Sequence, residues 1–100
     1  MLLIRDIMYC KPGKVRPMIE KYLAMAKLSE KMGMGKMRVL TDVSAERFWT
    51  IVSEFEVPSF EAFMSMGQDD PEGMKQFDEI MKGYHDLVDH GRREIYNIEG

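Results

Sequence analysis

Hydrophobic and polar positions follow two different periods along this chain, and the periods divide it into segments. A period of two indicates a strand, whereas apolar residues three and four positions apart indicate an amphipathic helix. Residues 2 to 10 are typical of a strand that is apolar on both faces, with one charge on each, and residues 14 to 32 repeat as a helix. Residues 36 to 43 and 47 to 57 are typical of two further strands, which a polar turn joins into an antiparallel hairpin.

The second half of the chain repeats this order of elements. Ser59 and Asp70 have side chains that cap helices, and Pro71 fits a first helical turn, so a short helix and a longer one should begin there. Apolar residues at helical spacing extend the longer helix to Gly91. Residues 92 to 99 alternate again and predict a final strand.

The order of the elements predicts the fold class. It is the ferredoxin-like βαββαβ topology, an α+β fold with a four-stranded antiparallel sheet, in a single domain that covers residues 1 to 100. Right-handed crossovers place both helices on one face of the sheet. The strand at residues 47 to 57 is apolar on both sides, with Trp49 and Ile51 on one and Val52 on the other. We therefore expect a second copy of the chain to cover the helix-free face in a homodimer.

Composition and charge exclude several kinds of partner. The chain has 14 Lys and Arg residues against 17 Asp and Glu residues and a net charge of −3, so it lacks the basic stripe that nucleic-acid binding needs. Arg5 and Asp6 interrupt the apolar N-terminal stretch, and we expect neither a signal peptide nor a membrane partner. The single cysteine, Cys10, fits a reducing compartment and predicts a cytoplasmic location.

Eleven methionines are an unusual number for 100 residues. The methionine side chain is unbranched and adaptable, so it fills irregular gaps and also suits surfaces that accept different partners. The methionines therefore form either a loosely specified core or a plastic apolar pocket or interface.

Four segments of the chain carry a resemblance to a known superfamily. They are a first strand that runs into Tyr9-Cys10-Lys11-Pro12-Gly13-Lys14, the strand from Phe48 to Phe55, the helix start Ser59-Phe60-Glu61-Ala62-Phe63, and Asp70-Pro71-Glu72 ahead of a helix that contains Phe77. With these segments the chain resembles the dimeric α+β barrel superfamily, and within it the NIPSNAP-like proteins and the antibiotic-biosynthesis-monooxygenase-like (ABM-like) proteins. The resemblance implies that two four-stranded sheets close into a barrel across a dimer axis, with a cavity between sheet and helices in each subunit.

The superfamily includes cofactor-free monooxygenases, haem-degrading enzymes and isomerases, so the fold alone does not choose an activity. Haem-degrading members place an asparagine on the first strand, a tryptophan near the start of the second helix and an axial histidine further along it. This chain has Asp6 on the first strand, Phe60 and Phe63 at the helix start, and no histidine around residues 74 to 80. We therefore expect no haem and no other cofactor.

Asp6 and Glu54 are candidate catalytic residues because both are carboxylates on predicted strands. A carboxylate buried within a sheet needs a partner, or its pKa rises. Arg5 and Arg38 are possible partners. The two carboxylates are therefore either polar positions that orient a substrate carbonyl or phenol in an apolar cavity, or ordinary ion pairs at strand ends or at the dimer rim.

His85 is the third candidate catalytic residue, as a general base at the mouth of the cavity. The alternative is that His85 and His90 are cationic residues suited to the C-terminal end of a helix. The two histidines are five positions apart, which on a helix separates them by about 140°. They do not converge, no further ligands accompany them, and no metal site is predicted.

Four aromatic side chains are candidate substrate contacts for a flat ligand: Tyr9, Trp49, Tyr84 and Tyr96. Tyr22 could line the same pocket, although aromatic residues at such spacings also form ordinary core. Two functions follow. The first is a homodimeric small-molecule-handling protein, a cofactor-independent monooxygenase-like enzyme that acts on an apolar or aromatic compound. The second is a non-catalytic dimeric domain that binds a small ligand or only assembles.

Overall fold

One antiparallel sheet organises the fold, in a computed structural model that describes residues 1–100. The sheet has the strand order β2-β3-β1-β4, which together with the order of helices and strands is the predicted ferredoxin-like α+β topology. No helix is both long enough and apolar enough to cross a lipid bilayer. The elements are β1 (Leu2–Cys10), α1 (Val15–Lys31), β2 (Arg38–Thr41), β3 (Thr50–Val57), α2 (Phe60–Met64), α3 (Pro71–Met81), a 3₁₀ turn (Tyr84–Asp86) and β4 (Val88–Asn97).

The two predicted helix caps are present and start the second helical region. The Ser59 hydroxyl accepts a hydrogen bond from the backbone N–H of Ala62 at 3.1 Å and begins α2. A carboxylate oxygen of Asp70 accepts a bond from the N–H of Gly73 at 2.8 Å and begins α3, with Pro71 in the first turn. Each side chain satisfies a backbone donor that has no partner inside its helix.

The predicted end of the long helix at Gly91 is wrong, because α3 ends at Met81. Gly83 follows with a φ of 84°, a left-handed conformation that stops a helix, and a 3₁₀ turn then leads into β4 at Val88. The sequence is misleading here because Tyr84 and Val88 still pack against the core through this turn. Apolar spacing therefore continues although the helix does not, and His90 and Gly91 belong to a strand.

The third strand starts later than predicted, at Thr50, so Trp49 lies outside the sheet's alternating pattern. Trp49 has a φ of 62°, which is rare for a bulky side chain, and it is 42% exposed. Hydrogen bonds on both sides fix this turn. The Trp49 carbonyl accepts from the N–H of Cys10 at 2.8 Å, and the Thr50 N–H donates to Asp42 at 2.9 Å.

The helices cover one face of the sheet, and every second residue of each strand points toward them. On this face the strand register places one row across all four strands: Val39, Ser53, Asp6 and Arg93. Ile51 lies on the same face and is fully buried with Met18 of α1, which gives the core its centre. The alternation predicted for residues 51 to 57 is thus confirmed, and it points toward the helices.

The opposite, helix-free face has apolar side chains, as expected, but a charged row crosses it. This row, which we call the charged ladder, runs through Arg38, Glu54, Arg5 and Glu94 on successive strands. Glu54 is 7% exposed, and its two carboxylate oxygens accept hydrogen bonds from Arg38 and Arg5. The partners expected for this carboxylate are therefore confirmed, and the helix-free face is more polar than its aliphatic residues suggest.

Candidate functional site

A cavity of about 460 Å³ lies between the helices and the helix-facing side of the sheet. Its walls are mainly apolar and combine α1, the helices of the second half, and the strands. Methionine supplies seven of the 17 lining residues, so the methionines form an adaptable pocket wall, and four of them also pack against the core. The seven methionines on its wall are Met8, Met25, Met34, Met37, Met66, Met74 and Met81.

An ion pair between Asp6 and Arg93 provides the charges of this cavity. Arg93 Nε donates to one Asp6 carboxylate oxygen at 2.6 Å, and Nη2 donates to the other at 3.2 Å. The hydrogen bond to Asp6 raises the pKa of Arg93, so the guanidinium stays charged. Its central carbon also lies 5.0 Å from the centroid of the Phe63 ring, in cation–π range. A half-exposed cation is thus held in place on a mainly apolar wall.

Tyr22 brings a phenol from α1 to the same cavity. The residue is 2% exposed, and burial, followed by the negative charge of Asp6, raises the pKa of its hydroxyl. The phenol therefore stays neutral at physiological pH and can donate a hydrogen bond. Burial also raises the pKa of the nearby Cys10 thiol, so Cys10 is not an activated nucleophile.

The three candidate catalytic residues lie in three different places. Asp6 borders the cavity, whereas Glu54 faces the other side of the sheet in the charged ladder. His85 is exposed in the 3₁₀ turn and does not line the cavity, although its ring centroid is 4.0 Å from that of Tyr84. No group of three or more His, Cys, Asp or Glu side chains is arranged to hold a metal ion.

Of the four candidate substrate contacts, only Tyr84 reaches the cavity. Tyr9 and Tyr96 lie on the helix-free face, where the Tyr9 hydroxyl accepts from Arg92 and the Tyr96 hydroxyl donates to Glu94 at 2.8 Å. Trp49 borders a second, more open depression of about 470 Å³ beside the start of α1. Trp49 therefore does not line the main cavity.

Arg93 is the charged side chain of the cavity that sequence reasoning missed. Within the predicted final strand it shares a face with Ile95, because their positions differ by two. That alternation could have placed Arg93 toward the helices. Its partner depends on strand register, which sets Arg93 directly beside Asp6 on the neighbouring strand. Register between β1 and β4 joins residues more than eighty positions apart and has no local signature in the sequence.

Comparison with known proteins gives structural matches at low sequence identity. An uncharacterised NIPSNAP domain protein from Burkholderia xenovorans matches with a TM-score of 0.75 and 15% identity, over 98% of this chain and 94% of that one. A proposed antibiotic biosynthesis monooxygenase from Nitrosomonas europaea matches with a TM-score of 0.72 and 13% identity, over 100% of both chains. A protein of Arabidopsis thaliana matches with a TM-score of 0.69 and 18% identity, over 100% and 97%.

Two sequence-based comparisons give nothing further. No protein-family model matches the chain. No curated protein matches it. Identities below a fifth support likeness of fold, not of activity. The chain therefore has the fold shared by NIPSNAP domain proteins and proposed antibiotic biosynthesis monooxygenases, and the resemblance seen in its sequence is confirmed as a structural one.

Proposed function

We propose that the chain binds a small, mainly apolar or aromatic compound in its methionine-lined cavity and oxidises it with molecular oxygen, without a resident cofactor. The observation that carries this proposal is the combination of an apolar wall with the Asp6–Arg93 pair and the Tyr22 phenol. A volume of about 460 Å³ suits a ligand of two or three rings, since ligand pockets span about 300 to 1,000 Å³. The structural likeness to proposed monooxygenases also supports an oxidation.

Without a cofactor, the substrate itself must supply the electrons that reduce oxygen. A phenol with an unsubstituted para position can do so. Asp6 takes the phenolic proton, and the Arg93 cation stabilises the phenolate that reacts with oxygen. One oxygen atom becomes the second carbonyl of a quinone. The other leaves as water with the hydroxyl hydrogen and the ring hydrogen, so the equation balances without another reductant. The mainly apolar wall suits both molecular oxygen and an aromatic ring.

The test uses 1-naphthol, with oxygen uptake and the absorbance of 1,4-naphthoquinone as the two readouts. Asp6→Asn keeps the shape of the side chain but removes its ability to accept the proton, so we expect the rate to fall about 100-fold. His85→Asn serves as the control because His85 lies outside the cavity, and its rate should equal that of the unaltered chain. Equal rates for Asp6→Asn and His85→Asn would contradict the assigned role.

A second candidate function is a non-catalytic ligand-binding domain. The observation that favours it is that both Asp6 carboxylate oxygens already accept hydrogen bonds from Arg93, which lowers their availability as a base. Saturable binding of 1-naphthol with no oxygen uptake above the buffer rate would select this second function. Oxygen uptake that rises in proportion to protein concentration would select the first.

We also propose that two copies of the chain pair through the helix-free face. Its apolar residues include Leu40, which is 39% exposed on the edge strand β2. Leu40→Asp should therefore leave the single chain folded but separate the copies, so sedimentation should change from twice the monomer mass to the monomer mass. Leu23→Asp is the matched control, because Leu23 is 49% exposed on α1, away from this face. A monomeric unaltered chain, or a Leu40→Asp dimer as stable as the unaltered one, would rule out this pairing.

A further inference from the structure

The Tyr22 hydroxyl has no hydrogen-bond partner within the protein, although the residue is 2% exposed. Buried tyrosines usually find a partner for this group, because an unpaired hydroxyl away from water costs free energy. The nearest carboxylate, Asp6, directs both of its oxygens to Arg93. The unmet hydrogen bond of Tyr22 is thus a feature that the fold itself does not explain.

The Tyr22 oxygen must reach the cavity. No side-chain nitrogen or oxygen is both fully buried and without a partner, so this unpaired oxygen retains some accessible surface. Tyr22 lines the methionine-walled cavity, and nearly all of the residue is otherwise enclosed. The hydroxyl therefore presents its accessible surface to whatever occupies the cavity.

The electrostatic surroundings of Tyr22 make it a donor. Burial, followed by the negative charge of Asp6, raises the pKa of the phenol, which stays protonated. Arg93 lies on the wall of the same cavity, and its Nη1 group makes no hydrogen bond within the protein. A neutral phenol and a guanidinium both favour an oxygen acceptor that carries partial or full negative charge.

We propose that Tyr22 is the residue that selects ligands, by donating a hydrogen bond to a carbonyl-type oxygen on an otherwise apolar ring system. This inference rests on the proposed function, because it takes the cavity to be the ligand site. The ligand class is therefore aromatic ketones, quinones and phenolates rather than plain hydrocarbons. A ligand without this oxygen leaves the Tyr22 hydroxyl unpaired, and the site therefore binds it less tightly than a ligand that has the oxygen.

The experiment compares 9-fluorenone with fluorene, which share one three-ring skeleton and differ at a single carbonyl. Equilibrium dialysis gives both dissociation constants for the unaltered chain, for Tyr22→Phe and for Tyr96→Phe. We expect the unaltered chain to bind fluorenone about five- to tenfold more tightly than fluorene, the effect of one hydrogen bond. Tyr22→Phe should lose this preference by weakening fluorenone alone. Tyr96→Phe, on the helix-free face, should keep it.

The outcomes separate this inference from the function on which it rests. Equal affinity of the unaltered chain for both compounds, or a preference that persists in Tyr22→Phe, overturns the role of Tyr22 and leaves the cavity as a ligand site. Binding of neither compound overturns the proposed function, and the inference with it. Because the hydroxyl makes no hydrogen bond within the protein, Tyr22→Phe should melt at a temperature no lower than that of the unaltered chain.

A second measurement does not depend on a variant. With tyrosine labelled at the ring carbon that bears the hydroxyl, the Tyr22 resonance should shift when fluorenone is added and stay in place when fluorene is added. The Tyr96 resonance should respond to neither compound. A Tyr22 resonance that moves equally with both compounds contradicts a hydrogen bond to the carbonyl.

Discussion

Replacing Ile51 with aspartate is expected to leave the chain unfolded at room temperature. Ile51 is completely buried on the helix-facing side of β3, against Cys10, Met18 and Tyr22. The change removes the apolar burial of Ile51 and places an unpaired carboxylate in this cluster, and the two losses together should cost about 5 to 10 kcal/mol. Domains of this size have about 5 to 15 kcal/mol of stability in total. Circular dichroism and a denaturant titration would measure the loss.

Val43→Asp is the matched control for that experiment. Val43 is also an aliphatic β-branched residue close to a strand, but its side chain is fully exposed in the loop between β2 and β3. We expect its free energy of unfolding to stay within about 0.5 kcal/mol of the unaltered chain. A folded, cooperative Ile51→Asp protein would show that the core is not centred on this position.

The parts of the fold that sequence reasoning predicts are those with local causes. The bounds of β1 follow from a short apolar run that Pro12 and Gly13 end, and the starts of α2 and α3 follow from the Ser59 and Asp70 caps. Each depends on residues within one or two turns of each other, so a single sequence contains the information. The order of these elements then leaves few topologies, and the observed strand order is one of them.

Errors arise where tertiary contacts replace local rules. Gly83 stops α3, but the chain after it keeps apolar residues toward the core, so a helical pattern continues through a turn and into a strand. Trp49 looks like a strand residue because β-branched and aromatic residues surround it. Two hydrogen bonds hold the backbone at its positive φ: the Cys10 N–H donates to the Trp49 carbonyl, and the Thr50 N–H donates to Asp42. Cys10 is distant in the chain, and Asp42 comes within reach only when the loop between β2 and β3 closes.

In the candidate site, too, the sequence predicts the local features but not the contacts between strands. Asp6 and Glu54 look equivalent in the sequence, since each is a carboxylate within a predicted strand, with one polar and one apolar neighbour. Register separates them, because Asp6 pairs with Ser53 and Glu54 pairs with Arg5, which puts the two carboxylates on opposite faces. Alternation shows that a strand has two faces. Only the packed structure shows which of them the helices cover.

Glu54→Gln should produce the second large loss of stability, about 2 kcal/mol. The glutamate is almost fully buried and lies between two arginines of the charged ladder, Arg5 and Arg38. Glutamine keeps the shape but leaves Arg38 without its counter-charge and leaves Arg5 with only Glu94, at 3.7 Å. The loss is smaller than for a wholly buried pair, because the Arg38 side chain is 66% exposed and water screens it. Glu56→Gln is the control on the same face, where the side chain is exposed.

The loss in free energy of unfolding that Glu54→Gln causes should also depend on pH. Burial alone would raise the pKa of Glu54, but the hydrogen bonds from Arg5 and Arg38 outweigh burial and lower it below its usual value. A carboxylate with a lowered pKa in the folded state stabilises the protein above its unfolded pKa of about 4.3. That stability is lost as the pH falls through the folded pKa. Urea titrations should therefore give a difference between the unaltered chain and Glu54→Gln that is full at neutral pH and shrinks progressively in acid. A difference that stays constant as the pH falls would mean that charge on Glu54 does not stabilise this face.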